Sequence, residues 1–268
     1  MSDQQVVEQW IVYATKLAQQ GRLDEALQAL QRVVEELPQN LPVLSALIEV
    51  ALQKKDYQTV VAHSMGCAQL LWLAGDGKAA IERYEQLLRL EEEVVPEKVA
   101  DVRRMVAQVK PEIYRRIGES RLEHQNVEQA LQYLTKAREL APGVWQTHLA
   151  LGRAYLAKQT YKEAIGELQE VLRLAQEPAA QAQAYELIGE VFMGQGRPAA
   201  ATSTWFERAA ELWLQADRPE QAGQARQRLA DLGPSTNTAQ APAPPDLQVR
   251  SHFPDEEPQV IRISKRPS

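Results

Sequence analysis

One cysteine, Cys67, stands in 268 residues, so neither an intramolecular disulfide nor a cysteine-rich zinc site is available. Glycine at 13 and proline at 15 are too few for a collagen-like or wholly low-complexity chain. No apolar run approaches the roughly 18–20 residues that a bilayer span requires, and the start, Met1 to Gln5, lacks the basic-then-apolar order of a signal peptide. Cationic excess is missing too: 30 Lys and Arg against 36 Asp and Glu give a net charge of −6. A general nucleic-acid binder draws its affinity from neutralised phosphates and would carry the opposite balance. No glycine-rich phosphate loop and no Gly-x-Ser-x-Gly occurs, for Ala74 to Lys78 has only the composition of a turn. What remains is 44% hydrophobic and 25% charged, enough to bury a core. The expectation is a soluble, cytoplasmic protein with no nucleic-acid partner, no cofactor and no direct membrane insertion.

What the chain does have is repetition. Small residues recur in pairs twelve apart: Ala14/Ala26, Ala68/Ala80, Gly118/Ala130, Gly152/Ala164 and Gly189/Ala201. Seven residues after each first member comes a turn-like position, namely Gly21, Gly75, Gln125, Gln159 and Gly196. Four residues after each second member stands a large side chain: Leu30, Tyr84, Leu134, Leu168 and Trp205. Val6, Val7, Trp10, Tyr13, Ala14 and Leu17 form one helical stripe, and Leu23, Ala26, Leu27, Leu30, Val33 and Val34 a second one after Gly21-Arg22. Two short antiparallel helices per unit follow. A mid-helix glycine costs about 1 kcal/mol against alanine, so Gly118, Gly152 and Gly189 are expected to face an alanine across each pair and let the axes approach.

These residues resemble the tetratricopeptide repeat (TPR) family, whose pattern of aromatic, Leu-Gly, tyrosine, central alanine, large apolar residue and closing proline spans about 34 residues. Residues 145–178 carry Leu151-Gly152, Tyr155, Tyr161, Ala164, Leu168 and Pro178. Residues 111–144, 7–40, 182–215 and 61–94 repeat the pattern through Tyr114, Ile117-Gly118 and Pro142; Trp10, Ala14 and Pro38; Ile188-Gly189 and Phe192; and Cys67-Ala68, Leu71 and Tyr84. The resemblance implies an all-α, right-handed α-solenoid of helix hairpins over residues 1–233.

The first members are separated by 54, 50, 34 and 37 residues. The first two spacings carry a surplus of about one helix each, which falls on 41–54 and 96–109. These read as less regular helices of a degenerate middle, with worn but ordinary repeats as the other reading. Pro111 fits either the first turn of a new helix or a kink in a continuous one. Residues 218–232, with Ala222, Ala225, Leu229 and Leu232 on one side, read as the capping helix that a solenoid end needs. Beyond it, 234–268 holds seven prolines and four acids against four bases, and reads as a disordered tail. Within it, Val260, Ile261 and Ile263 are strand-favouring: they form a motif that adds to a partner's sheet edge, a segment that folds back on the groove, or nothing functional.

Catalytic or metal chemistry finds little support. His63 and Cys67, four apart on one helix, have ligand spacing but no second pair, and Cys67 occupies a core position of the repeat. His148 lies on a buried stripe and reads as packed. Glu91 to Glu93 reads as a solvated helix end. The chain is therefore expected not to be an enzyme.

The resemblance offers a different site, because first helices of successive TPRs line a concave groove that holds peptides. The matching positions are Glu112, Arg115, Glu119 and Leu122; Gln146, Leu149, Arg153 and Leu156; and Gln183, Glu186, Glu190 and Met193. Apolar anchors with arginines there would suit a protein segment carrying carboxylates; an ordinary solvated helix face would look the same. The carboxylate clamp of TPR co-chaperones is not reproduced. The corresponding places hold Arg115 and Glu119, Ala150, and Gln183 with Leu187, or Ile11 and Thr15 from the first repeat, so its asparagines are missing. The resemblance thus implies a non-catalytic adaptor or scaffold, in the setting of an assembly factor for a multi-subunit complex. A regulatory or substrate-recruiting subunit of an enzyme complex is the alternative.

Overall fold

The computed structural model describes residues 3–93 and 99–231. They form twelve helices and, among the described residues, no strand. In order these are α1 (Asp3–Gln19), α2 (Leu23–Glu36), α3 (Leu41–Lys54), α4 (Tyr57–Leu73), α5 (Gly77–Glu93), α6 (Val99–Glu123), α7 (Val127–Leu140), α8 (Trp145–Ala157), α9 (Tyr161–Leu174), α10 (Pro178–Gly194), α11 (Ala199–Gln215) and α12 (Pro219–Asp231). Each packs on the next along the chain, which makes the molecule an α-solenoid. The proline-rich segment and its Val260, Ile261 and Ile263 lie outside the described residues, as does Leu232.

One turn is used seven times. Gly21, Lys55, Gly75, Gln125, Gln159, Gly196 and Asp217 all have φ between 56 and 85°. At each, the following amide bonds back to a carbonyl five residues earlier, as from Arg22 N to Leu17 O (3.0 Å) and from Arg218 N to Trp213 O (2.9 Å). This closes the helix with a Schellman motif. Except after Gly196, where Pro198 rather than Arg197 is the cap, the next residue then opens the new helix, and Asp56, Asp76 and Asn126 accept from the amides of Thr59, Ala79 and Gln129. Local sequence therefore ends one helix and starts the next within three or four residues.

The small residues lie where helices touch. Ala14, Ala26, Ala68, Ala80, Ala130 and Ala164 are fully buried. What faces the glycines is, however, a large side chain one turn beyond the expected alanine. A methyl on Gly118 would stand 2.6 Å from Leu134 Cγ, and one on Gly152 2.7 Å from Leu168 Cδ2. The glycine is a socket for the leucine, and at Gly118 the alanine also contributes, through the Ala130 carbonyl at 3.2 Å. The last repeat departs by one residue. Arg197-Pro198 lengthens the turn, so α11 buries Thr202 and Phe206, and it is Phe206 that fills the Gly189 socket while Ala201 is half-buried.

The middle differs from the expectation. Residues 41–54 do form a helix, α3, buried on a wide face through Val43, Leu44, Leu47, Ile48, Val50 and Ala51. Within 96–109, the described residues 99–109 belong to α6, which runs continuously for 25 residues with Pro111 inside it rather than ending before it. Val102, Val106, Ile113 and Ile117, all buried, keep one helical phase on both sides of the proline, so burial of a single stripe outweighs the lost Pro111 donor. Contacts between alternate helices join α1 to α3, then α4 to α6, α6 to α8 and α8 to α10. The inner row thus passes from odd to even helices at the α3–α4 hairpin, where Lys55 makes the extra left-handed turn.

Candidate functional site

Alternate helices touch along the α4, α6, α8 and α10 row, and in a curved stack the closer-spaced row is the inner one. This row carries the positions that the sequence marked as groove-facing.

On α6 the charges are already paired within the helix. Arg115 is buried; it donates to Glu112 through Nε and Nη2 (2.9 and 2.5 Å) and to Glu119 through Nη1 (2.6 Å). Arg116 Nε donates to Glu112 at 2.9 Å. Burial alone would push the Glu112 carboxyl up, but the two guanidiniums more than offset it and hold it below the usual range. Arg115 remains protonated against its own burial because Glu119 and Glu112 flank it. It braces α6 and is not an open cation for a ligand. Leu122 is half-buried and packs in the small cluster with Leu131, Leu151 and Ala154.

On α8, Leu149 is part of the core with α9 and α10 rather than a free surface, while Leu156 is half-buried at its edge. Arg153 is exposed, and among the described residues no carboxylate stands within ion-pair distance of it. On α10, burial raises the Glu186 carboxyl, Glu190 adds to that effect, and Arg228 and Arg153 oppose it. Glu190 is ion-paired to Arg228 of α12, which ties the cap to the inner row. Met193 is 46% exposed. The structure therefore brings Arg153, Glu186 and Glu190 into one electrostatic neighbourhood, with Arg153 as its exposed cation.

A polar cluster that local spacing did not reveal lies on the far side of α8. His148 is buried, with Nδ1 2.7 Å from Glu167 Oε2 and Nε2 2.9 Å from the Pro142 carbonyl; Arg138 bonds the other Glu167 oxygen. Both imidazole partners are acceptors, so the imidazolium satisfies both. Burial works against the charge, yet Glu167 and the Pro142 carbonyl prevail and raise the His148 pKa. Its only sequence signal was a histidine on a buried stripe, because Glu167 is nineteen residues away on another helix. His63 is half-buried and its pKa is lowered by burial; Cys67 is buried with Sγ 3.8 Å from Ser45 Oγ. Among the described residues no group of three or more His, Cys, Asp or Glu could hold a metal ion, and no helix there is long and apolar enough to cross a membrane.

Tetratricopeptide-repeat family models match residues 115–179 and residues 17–59. The second match runs through α3, which places that irregular helix within the repeat pattern. No curated protein matches the chain. Among solved structures the chain is similar to MamA, with 18% identity over 79% of this chain and 93% of that one and a TM-score of 0.43. It is also similar to the Cut9–Hcn1 heterotetramer of the APC/C, with 14% identity over 82% and 42% and a TM-score of 0.48. A thermophilic TPR protein of Thermus thermophilus shares 18% identity over 84% and 97%, with a TM-score of 0.31. With family matches on two separate stretches of hairpins that reuse one turn, the chain carries tetratricopeptide repeats.

Proposed function

We propose that this chain is a non-catalytic adaptor that holds a segment of a partner protein along the inner row of α6, α8 and α10, as an assembly factor for a multi-subunit complex. The observation that supports it is Arg153. An exposed guanidinium with no carboxylate within ion-pair distance among the described residues, one turn from the core-anchored Leu149, is placed to take a side-chain or terminal carboxylate from an extended segment. The half-buried Glu186 and Glu190 beside it disfavour a ligand with a second acid in that direction and favour one with a basic or neutral neighbour. Recognition would use a surface already ordered by the repeats, so little ordering cost falls on the protein itself.

The test is affinity capture with full-length protein, followed by titration of the identified partner segment into wild type and Arg153→Glu. Charge reversal is expected to weaken binding about tenfold or more with helicity and melting unchanged. Equal affinity for both proteins would discard the groove assignment. Arg115 is unsuited to this test, since its reversal would break the Glu112–Glu119 network and confound binding with stability.

A further inference from the structure

Two connections between hairpins are held by the same kind of bond. Residues 141–144 join α7 to α8, and residues 175–177 join α9 to α10. In neither does a left-handed residue close the helix. Instead, the fourth residue of the new helix reaches back six positions to a carbonyl of the connection. Gln181 donates from Nε2 to the Ala175 oxygen at 2.9 Å, and His148 Nε2 stands 2.9 Å from the Pro142 oxygen. The α7–α8 connection has little else to hold it. Val144, the cap of α8, makes no side-chain bond, and its amide meets the Ala141 carbonyl only at 3.3 Å. A methyl on Gly143 would meet nothing within 4 Å.

The Gln181 amide does not titrate, whereas the His148 imidazole does. His148 is buried and its Nδ1 faces Glu167 Oε2 at 2.7 Å, so each ring nitrogen looks at an acceptor. An imidazolium donates to both; a neutral ring has one N–H to give. Glu167, held on its other oxygen by Arg138 of α7, is charged and therefore the stronger acceptor, so it keeps that hydrogen. A bare Nε2 lone pair then confronts the Pro142 oxygen, and the carbonyl turns away. Arg138 of α7, Tyr155 of α8 and Glu163, Glu167 and Glu170 of α9 line a cavity of about 330 Å³ with His148, and Arg173 pairs with Glu170. Of the other helices touching α8, α6 holds Glu112 and Glu119 on its own arginines, and α10 turns Glu186 and Glu190 toward Arg153 and Arg228. The balance at the ring is acidic and favours the proton. We propose that His148 is a proton-operated clasp: charged, it ties the α7–α8 connection to α8 and α9; neutral, it frees the Pro142 carbonyl and loosens the seat of the α6–α7 hairpin on the α8–α9 hairpin. This inference is independent of the groove reading above.

Hydrogen–deuterium exchange of the full-length chain from about pH 5.5 to about pH 8.5 tests it, with each rate divided by the intrinsic chemical rate at that pH. In wild type the peptide spanning 141–149 should lose protection about tenfold as pH rises, the scale of one hydrogen bond to a charged group. The peptide spanning 175–183, held by Gln181, should not change. His148→Gln should keep 141–149 at one level of protection across the range, because it puts at this connection the bond that Gln181 makes at the next. Glu167→Gln removes the carboxylate that favours the proton, and should move the loss to lower pH. Constant protection of 141–149 in wild type, or an equal loss at 175–183, overturns the proposal. So does a loss that persists in His148→Gln, or one that Glu167→Gln leaves at the same pH. Should a variant fail to fold, the two wild-type connections decide the matter by themselves.

Discussion

At the scale of single residues, what sits opposite a glycine decides whether that glycine is needed. Gly118 and Gly152 have a leucine side chain in the space a methyl would take, whereas a methyl on Gly166 of α9 meets nothing within 4 Å. Gly118→Ala is therefore expected to destabilise by roughly 1–3 kcal/mol through over-packing, and Gly166→Ala to stabilise by about 0.5–1 kcal/mol through helix propensity. Urea unfolding of the two variants would show opposite signs. Trp205, 6% exposed and flanked by Tyr185 and Phe192 at 6.0 and 5.4 Å, should lose about 3–5 kcal/mol on replacement by alanine. Half-buried Trp145 should lose less.

The His148 cluster makes a residue-scale prediction in pH. Its pKa is raised in the folded protein, so the protonated form binds its partners better there than in the unfolded chain. That contribution to stability is complete below the ordinary histidine value, near 6.5, and is lost as pH rises through the folded pKa. Stability measured from about pH 5.5 to 8.5 should fall across the upper part of this window, and His148→Gln should remove the fall. Glu112 behaves in the opposite sense. Its lowered pKa stabilises above the ordinary glutamate range and is lost as acid titrates it, loosening the Arg115 brace.

At the scale of elements, α6 is the informative one. Its apolar positions 102, 106, 109, 113 and 117 advance in steps of four, three, four and four, a single helical phase that crosses Pro111 without a break. The proline argues locally for a boundary, and tertiary burial of that stripe overrides it. Because proline in a helix interior costs about 3 kcal/mol, Pro111→Ala is expected to raise the melting midpoint while circular dichroism stays the same. The one-residue slip in α11 has a similar origin. Sequence spacing set an alanine opposite Gly189, but the longer turn at Arg197-Pro198 rotates α11 so that Phe206 enters.

At the scale of the whole molecule, stability is a chain of neighbour interfaces, and the described core clusters are complete by Ala225. Truncation after Asp231 should therefore leave the melt unchanged. Truncation after Asp217 removes α12 and uncovers Ala209, Ala210, Leu212 and Trp213 of its core cluster, and should lower the melting midpoint and promote aggregation, seen by light scattering on heating.

Most of the helices, their turns and the repeat pattern were legible from the order of residues alone, because they depend on local stereochemistry: left-handed turn residues, caps, and small residues recurring at fixed spacing. The five turns expected from spacing all adopt positive φ, and Lys55 and Asp217, with no glycine to announce them, join the set. Which charges are open to a partner was settled only when the helices packed. Arg115 and Arg153 were both marked as groove-facing, yet Arg115 is locked between Glu112 and Glu119, while among the described residues no carboxylate stands within ion-pair distance of Arg153. Likewise the change of inner row at α3–α4 and the bond of His148 to Glu167 arise between helices, where pairing is set by packing across space rather than by distance along the chain.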